Sequence, residues 1–137
     1  MNDLLSRMIN IALDDHIGVI IQPMKTPFSV PMSDCDSRMV LINSIWHQPR
    51  ELPFQLAHEI GHIENGDVGI LRYSPYEGRM EMAANMYGLS LLVPAYFQDV
   101  DQENANVDVF MNALALHHAF ATRRNKRFWS TTNKFWE

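Results

Sequence analysis

One cysteine, six glycines and no long apolar run mark what this chain of 137 residues has little of. With Cys35 alone no internal disulfide can form, which suits a reducing compartment, and a cytoplasmic protein is expected. No apolar stretch approaches the roughly 20 residues that span a bilayer. Leu89–Phe97 comes nearest, but it carries Ser90 and is broken by Pro94, so no membrane association is expected. The opening Met1-Asn2-Asp3-Leu4-Leu5 has no basic stretch followed by a long apolar core, and it does not read as a secretory signal. Positive charge is scarce too: 11 Lys and Arg stand against 16 Asp and Glu, a net charge of −5. The basic cluster Arg123, Arg124, Lys126 and Arg127 follows an expected helix and complements its C-terminal dipole. Beside an acidic body, four such charges are too few for a DNA-binding surface, and no direct nucleic-acid contact is expected.

What remains is an ordinary globular composition, 47% hydrophobic and 20% charged, long enough to bury a real core. One domain is expected over residues 1–137, with a basic and aromatic tail at 123–137. Leu4, Leu5, Met8, Ile9, Ala12 and Leu13 share one face of a helix over Asp3–His16, and Gly18 reads as its stop. Val19-Ile20-Ile21 reads as a strand ended by Pro23, and Arg38–Asn43 as a second. A third short strand is placed around Phe28–Val30, and Ser33–Ser37 in a turn. A helix is predicted from about Glu51 to Glu64, with Asn65-Gly66 as its C-terminal stop. Ser74-Pro75-Tyr76-Glu77 reads as a capping box opening a helix that ends near Pro94. A last helix is placed over Val107–Thr122. The order implies an α+β domain, mostly helical, with a small antiparallel sheet of two or three strands.

His58-Glu59-Ile60-Gly61-His62 sits inside the second of these helices. Residues four apart lie about 40° apart around a helix and ~6 Å along it, so both imidazoles can reach one ion. Zn²⁺ takes histidine nitrogen readily, and Glu59 is placed to act as general base on a water beside it. Uncharged flanks (Leu56, Ala57, Ile60, Ile63) put the motif in the interior, where two histidines and a glutamate are expensive without a partner. A third ligand is needed. Glu64 lies on the opposite side of the helix, Asp67 would have to fold back, and Glu77 belongs to the capping box. Glu81, on the next helix, is the favoured donor, with His117 or His118 in reserve. Asn85, one turn after Glu81, is placed to orient His58, His62 or Glu81 as an outer partner. The longer pattern His-Glu-x-x-His-x-x-Gly-x-x-His is excluded by Asn65 and Val68.

Three segments in order, Phe54-Gln55-Leu56-Ala57-His58-Glu59-Ile60-Gly61-His62, Glu81-Met82-Ala83-Ala84-Asn85 and Leu91-Leu92-Val93-Pro94, resemble the ImmA/IrrE-type metallopeptidases. Met86-Tyr87-Gly88 departs from the family's more usual Phe-Ala pair after the asparagine. The resemblance implies a minimal zincin-like domain, a zinc site of His58, His62 and Glu81, and Glu59 as the catalytic glutamate. It also implies a protein substrate, a helix-turn-helix repressor of a phage or mobile element that the enzyme cleaves or inactivates. Two other classes stay open: a non-catalytic antirepressor module with a structural zinc, and a toxin–antitoxin or stress-response component. Phe128, Trp129, Phe135 and Trp136 make the tail aromatic enough to dock on the domain or on a partner.

Overall fold

The computed structural model describes residues 3–74, 78–98, 100, 101, 104 and 106–116. Helix α1 (Asp3–Asp14) buries Leu4, Leu5, Met8 and Ala12, while Leu13 is 56% exposed. It stops two residues earlier than its apolar spacing suggests. The Ile17 amide donates to the Ala12 carbonyl at 2.8 Å and His16 adopts φ 61, a Schellman closure that seats Ile17 in the core. The stop is therefore His16, and Gly18 already belongs to strand β1 (Gly18–Gln22).

Strands β2 (Met32–Asp34), β3 (Met39–Asn43) and β4 (Ile70–Arg72) complete a sheet of order β1-β3-β2-β4. The α+β class stands, but among the described residues the sheet has four strands and is mixed. β1 runs parallel to β3, whereas β2 is antiparallel to both β3 and β4. The third strand lies at Met32–Asp34 and not at Phe28–Val30. The cause is buried Asn43: its Nδ2 donates to the carbonyls of Thr26 and Ser29 at 2.9 and 3.0 Å, and its Oδ1 accepts from the Met24 amide. That clamp holds the preceding loop in a turn. Val19, Ile21, Val40 and Ile42 face the helices and form one wall of the core.

Helix α2 (Leu52–Glu64) follows a 3₁₀ turn at Pro49–Glu51 and is buried from Leu52 through Ile63. Helix α3 (Arg79–Tyr96) packs along it. A Cβ on Gly61 would lie 2.8 Å from the Ala84 carbonyl oxygen, and one on Gly88 would lie 3.0 Å from the His58 nitrogen. One glycine on each helix thus lets the two backbones touch. Helix α3 begins at Arg79 after Gly78 (φ 85), later than the capping box predicts. Ser74 is non-helical and its amide turns to Glu81 Oε1 at 3.3 Å; positions 75–77 of that box lie outside the described residues. The helix also runs through Pro94 to Tyr96, because the carbonyl deprived of a donor belongs to exposed Ser90.

Helix α4 (Val107–Ala113) is capped by Asn106, whose side chain accepts from the Val109 amide at 3.1 Å. It ends well short of Thr122. Ala115 takes φ 54 and the Leu116 amide returns to the Met111 carbonyl at 2.8 Å, tucking Leu116 into the core. Residues 117–137, with His117, His118 and the basic and aromatic tail, lie outside the described residues. No helix among the described residues is long and apolar enough to cross a membrane.

Candidate metal centre

The contact of α2 with α3 sets Glu81, in the first turn of α3, against the two histidines of α2. His58 Nε2 and His62 Nε2 are 3.1 Å apart, with the rings edge-to-face at 84°. Glu81 Oε2 lies 2.8 Å from His62 Nε2, and Glu81 Oε1 lies 3.3 Å from His58 Nε2. Among the described residues these three form the group able to hold an ion.

The far side of each ring decides its tautomer. His58 Nδ1–H donates to Asn85 Oδ1 at 2.7 Å, and His62 Nδ1–H donates to Asp67 Oδ2 at 2.8 Å. With those protons spent, both Nε2 atoms of the neutral rings are lone pairs. Two lone pairs and a carboxylate, all buried and converging, repel one another unless a cation lies among them. Ligands at about 2.0–2.1 Å from a tetrahedral ion stand about 3.3 Å apart. Spacings of 3.1, 2.8 and 3.3 Å suit that requirement.

Asp67, set aside in sequence because it would have to fold back, does fold back. Gly66 adopts φ 79, the Gly66 amide returns to Ile63 and the Asp67 amide to His62, so the helix closes as a Schellman turn onto His62 itself. The turn that ends α2 thereby delivers a carboxylate to the back of the last histidine. A glycine stop followed at once by an acid was the signal available for it. Glu64 lies where its helical position puts it, bonded to Arg38 at 3.0 Å and away from the centre. Tyr73, which follows β4, sets its ring edge-on to His58 at 5.0 Å. His47 stacks with Phe28 and Trp46 elsewhere.

Burial holds His58 below the usual histidine range, and the neighbouring His62 adds to this against the pull of Glu81 and Asn85. For Glu81, burial works upward but is outweighed by the two imidazoles beside it, His58 above all, leaving the carboxyl below its usual value. Glu59 is different. Burial, reinforced by the charge of Glu81 and opposed by the Ser33 hydroxyl, pushes it up to about 8. A cation among His58, His62 and Glu81 would draw it back down. Burial also raises the Cys35 thiol; Ser33 opposes this, and Asp67, Glu59 and Asp36 add to it, so the thiol stays protonated.

The arrangement can therefore hold a divalent ion by two nitrogens and a carboxylate, with a second carboxyl group one residue from the first ligand. No curated protein and no solved structure matches the chain. A family model described as the IrrE N-terminal-like domain (Peptidase_M78) matches residues 17–125, and the chain, with a metal-competent cluster within that span, belongs to this peptidase family.

Proposed function

We propose that this protein is a cytoplasmic zinc-dependent peptidase that cleaves or inactivates a helix-turn-helix repressor of a phage or mobile element. The observation that carries the metal chemistry is the convergence of His58 Nε2, His62 Nε2 and Glu81, with both Nδ1 protons already committed. The substrate rests on the resemblance alone. His58, His62 and Glu81 would hold the ion, with Asn85 and Asp67 keeping the two rings in the ligating tautomer. The chemistry zinc supplies when bound is Lewis acidity, which acidifies water and polarises a carbonyl. Glu59 takes the proton of the attacking water and later delivers it to the leaving amine.

A second reading, a binding module with a structural ion, draws on the complete burial of His58, Glu59 and His62. Elemental analysis of untagged protein should find one zinc per chain. Incubation with a helix-turn-helix repressor of a phage or mobile element should give fragments that vanish with chelator. Glu59→Gln should keep metal and fold while abolishing cleavage; if repression is still relieved by that variant, the binding module is the better account. A chain that carries no metal after zinc loading sinks both.

A further inference from the structure

Five buried side-chain atoms find no hydrogen-bond partner among the described residues: the Ser33 hydroxyl, both amide atoms of Gln55 and both carboxyl oxygens of Glu59. All three side chains are wholly shielded from solvent. A buried polar atom left unpaired loses its water without recompense, so native interiors rarely gather them. These three are neighbours. Gln55 precedes Glu59 by four residues on α2 and shares its side of the helix. Ser33 is the inward residue at the middle of β2, which packs on α2, and its hydroxyl lies against the Glu59 carboxyl. Their capacities also match. A hydroxyl donor and two amide donors stand beside a carboxyl group that has none committed to it.

We propose that Ser33 and Gln55 are positioning residues for Glu59. From the strand on one side and the preceding helical turn on the other, they fix its carboxyl group, directly or through an ordered water. One oxygen is then left to face the ion held by His58, His62 and Glu81. The purpose of this arrangement rests on the peptidase reading, but its geometry does not. The opposing account is that Ser33 and Gln55 are stranded polar groups, which apolar replacement would relieve whatever stands at position 59.

Double-mutant cycles on metal-free full-length chain separate the two. Ser33→Ala and Gln55→Leu are each made alone and together with Glu59→Leu, and thermal midpoints are compared. The proposal expects each single change to lower the midpoint and the same change to leave it level or raise it once Glu59 is gone. Additive cycles overturn the proposal. Should Glu59→Leu not fold, Glu59→Ala serves as the partner. In Co²⁺-loaded chain, both variants should bind cobalt within about twofold of wild type. The pH midpoint of the visible cobalt bands should move by at least half a unit, a movement absent in the Glu59→Leu background. An unmoved midpoint counts against the proposal. Wild-type chain that takes up no Co²⁺ defeats the peptidase reading, and the metal-free cycles then decide the positioning of Glu59 by themselves.

Discussion

The two ends of the motif helix hold their histidines by opposite means. At the His58 end, α2 depends on another helix: Asn85, 27 residues away in sequence, accepts the hydrogen bond from the ring Nδ1–H, and Gly88 presses against the His58 backbone. At the His62 end, α2 depends on itself, since its own closing turn swings Asp67 behind the ring. One support is a neutral amide brought by tertiary packing, the other an acid brought by a local turn. His58 orientation should therefore fail with the seam between the helices, and His62 orientation should survive small changes there.

The largest expected effect comes from closing that seam. Gly88→Val puts branched carbon where a Cβ already meets backbone of His58 and Ala57 at 3.0 and 3.1 Å, and backbone cannot swing aside. Overpacking of this kind costs about 1–3 kcal/mol. It also shifts Glu81 and Asn85 together, so zinc affinity should fall beyond the roughly 10–100-fold typical of losing one outer partner. Calorimetric zinc titration with a thermal melt checks both. A variant that binds zinc like wild type would show that the glycine contact is incidental.

Next come the two outer partners. Asp67→Ala removes a carboxylate that fixes and enriches the His62 ring, and its zinc affinity should drop toward the 100-fold end of the roughly 10–100-fold range. Asn85→Ala removes a neutral acceptor, and its loss should sit near the tenfold end. Asp67→Asn keeps an acceptor oxygen without the charge and should fall between them. The reverse order, with Asn85→Ala the more damaging, would mean that charge matters less than the packing of α3.

The same contrast explains what could be read from the chain alone. Helices α1 and α2, strands β1 and β3, and the meeting of His58, His62 and Glu81 follow from apolar periodicity and from spacing along helices. Strands β2 and β4 are three residues each and owe their form to pairing with neighbours, and periodicity cannot mark so short a run. Ser33 is the sharpest case, read as part of a turn yet buried beside Glu59. The closures at His16 and Ala115 use left-handed residues other than glycine, so the usual stop signal is missing. The capping box places the start of α3 too early, because the Ser74 amide bonds Glu81 on the helix itself, a contact that local capping chemistry does not reveal.

Glu59, between the two supported rings in sequence, supports neither of them, and its replacement should disturb the ion least. Its signature is in pH. The folded carboxyl titrates at about 8, above the 4.5 of a free glutamate. A group raised in this way contributes stability that is complete below the unfolded value and is lost as pH climbs through the folded one. Metal-free wild type should therefore weaken between about pH 4.5 and pH 8, whereas Glu59→Gln, which does not titrate, should not share that decline. At 1.36 kcal/mol per unit, the gap between them should reach on the order of a few kcal/mol and level off above pH 8. His58, lowered by burial, works the other way: its contribution is present above the free histidine value and is lost as pH falls through its folded value. Both chains carry His58, so the difference between their melting curves isolates Glu59. Zinc should narrow that difference, because a cation beside Glu59 stabilises its charged form. Melts in chelator from pH 5 to pH 9 that run parallel for the two chains would show that Glu59 finds in the folded state a partner as good as water.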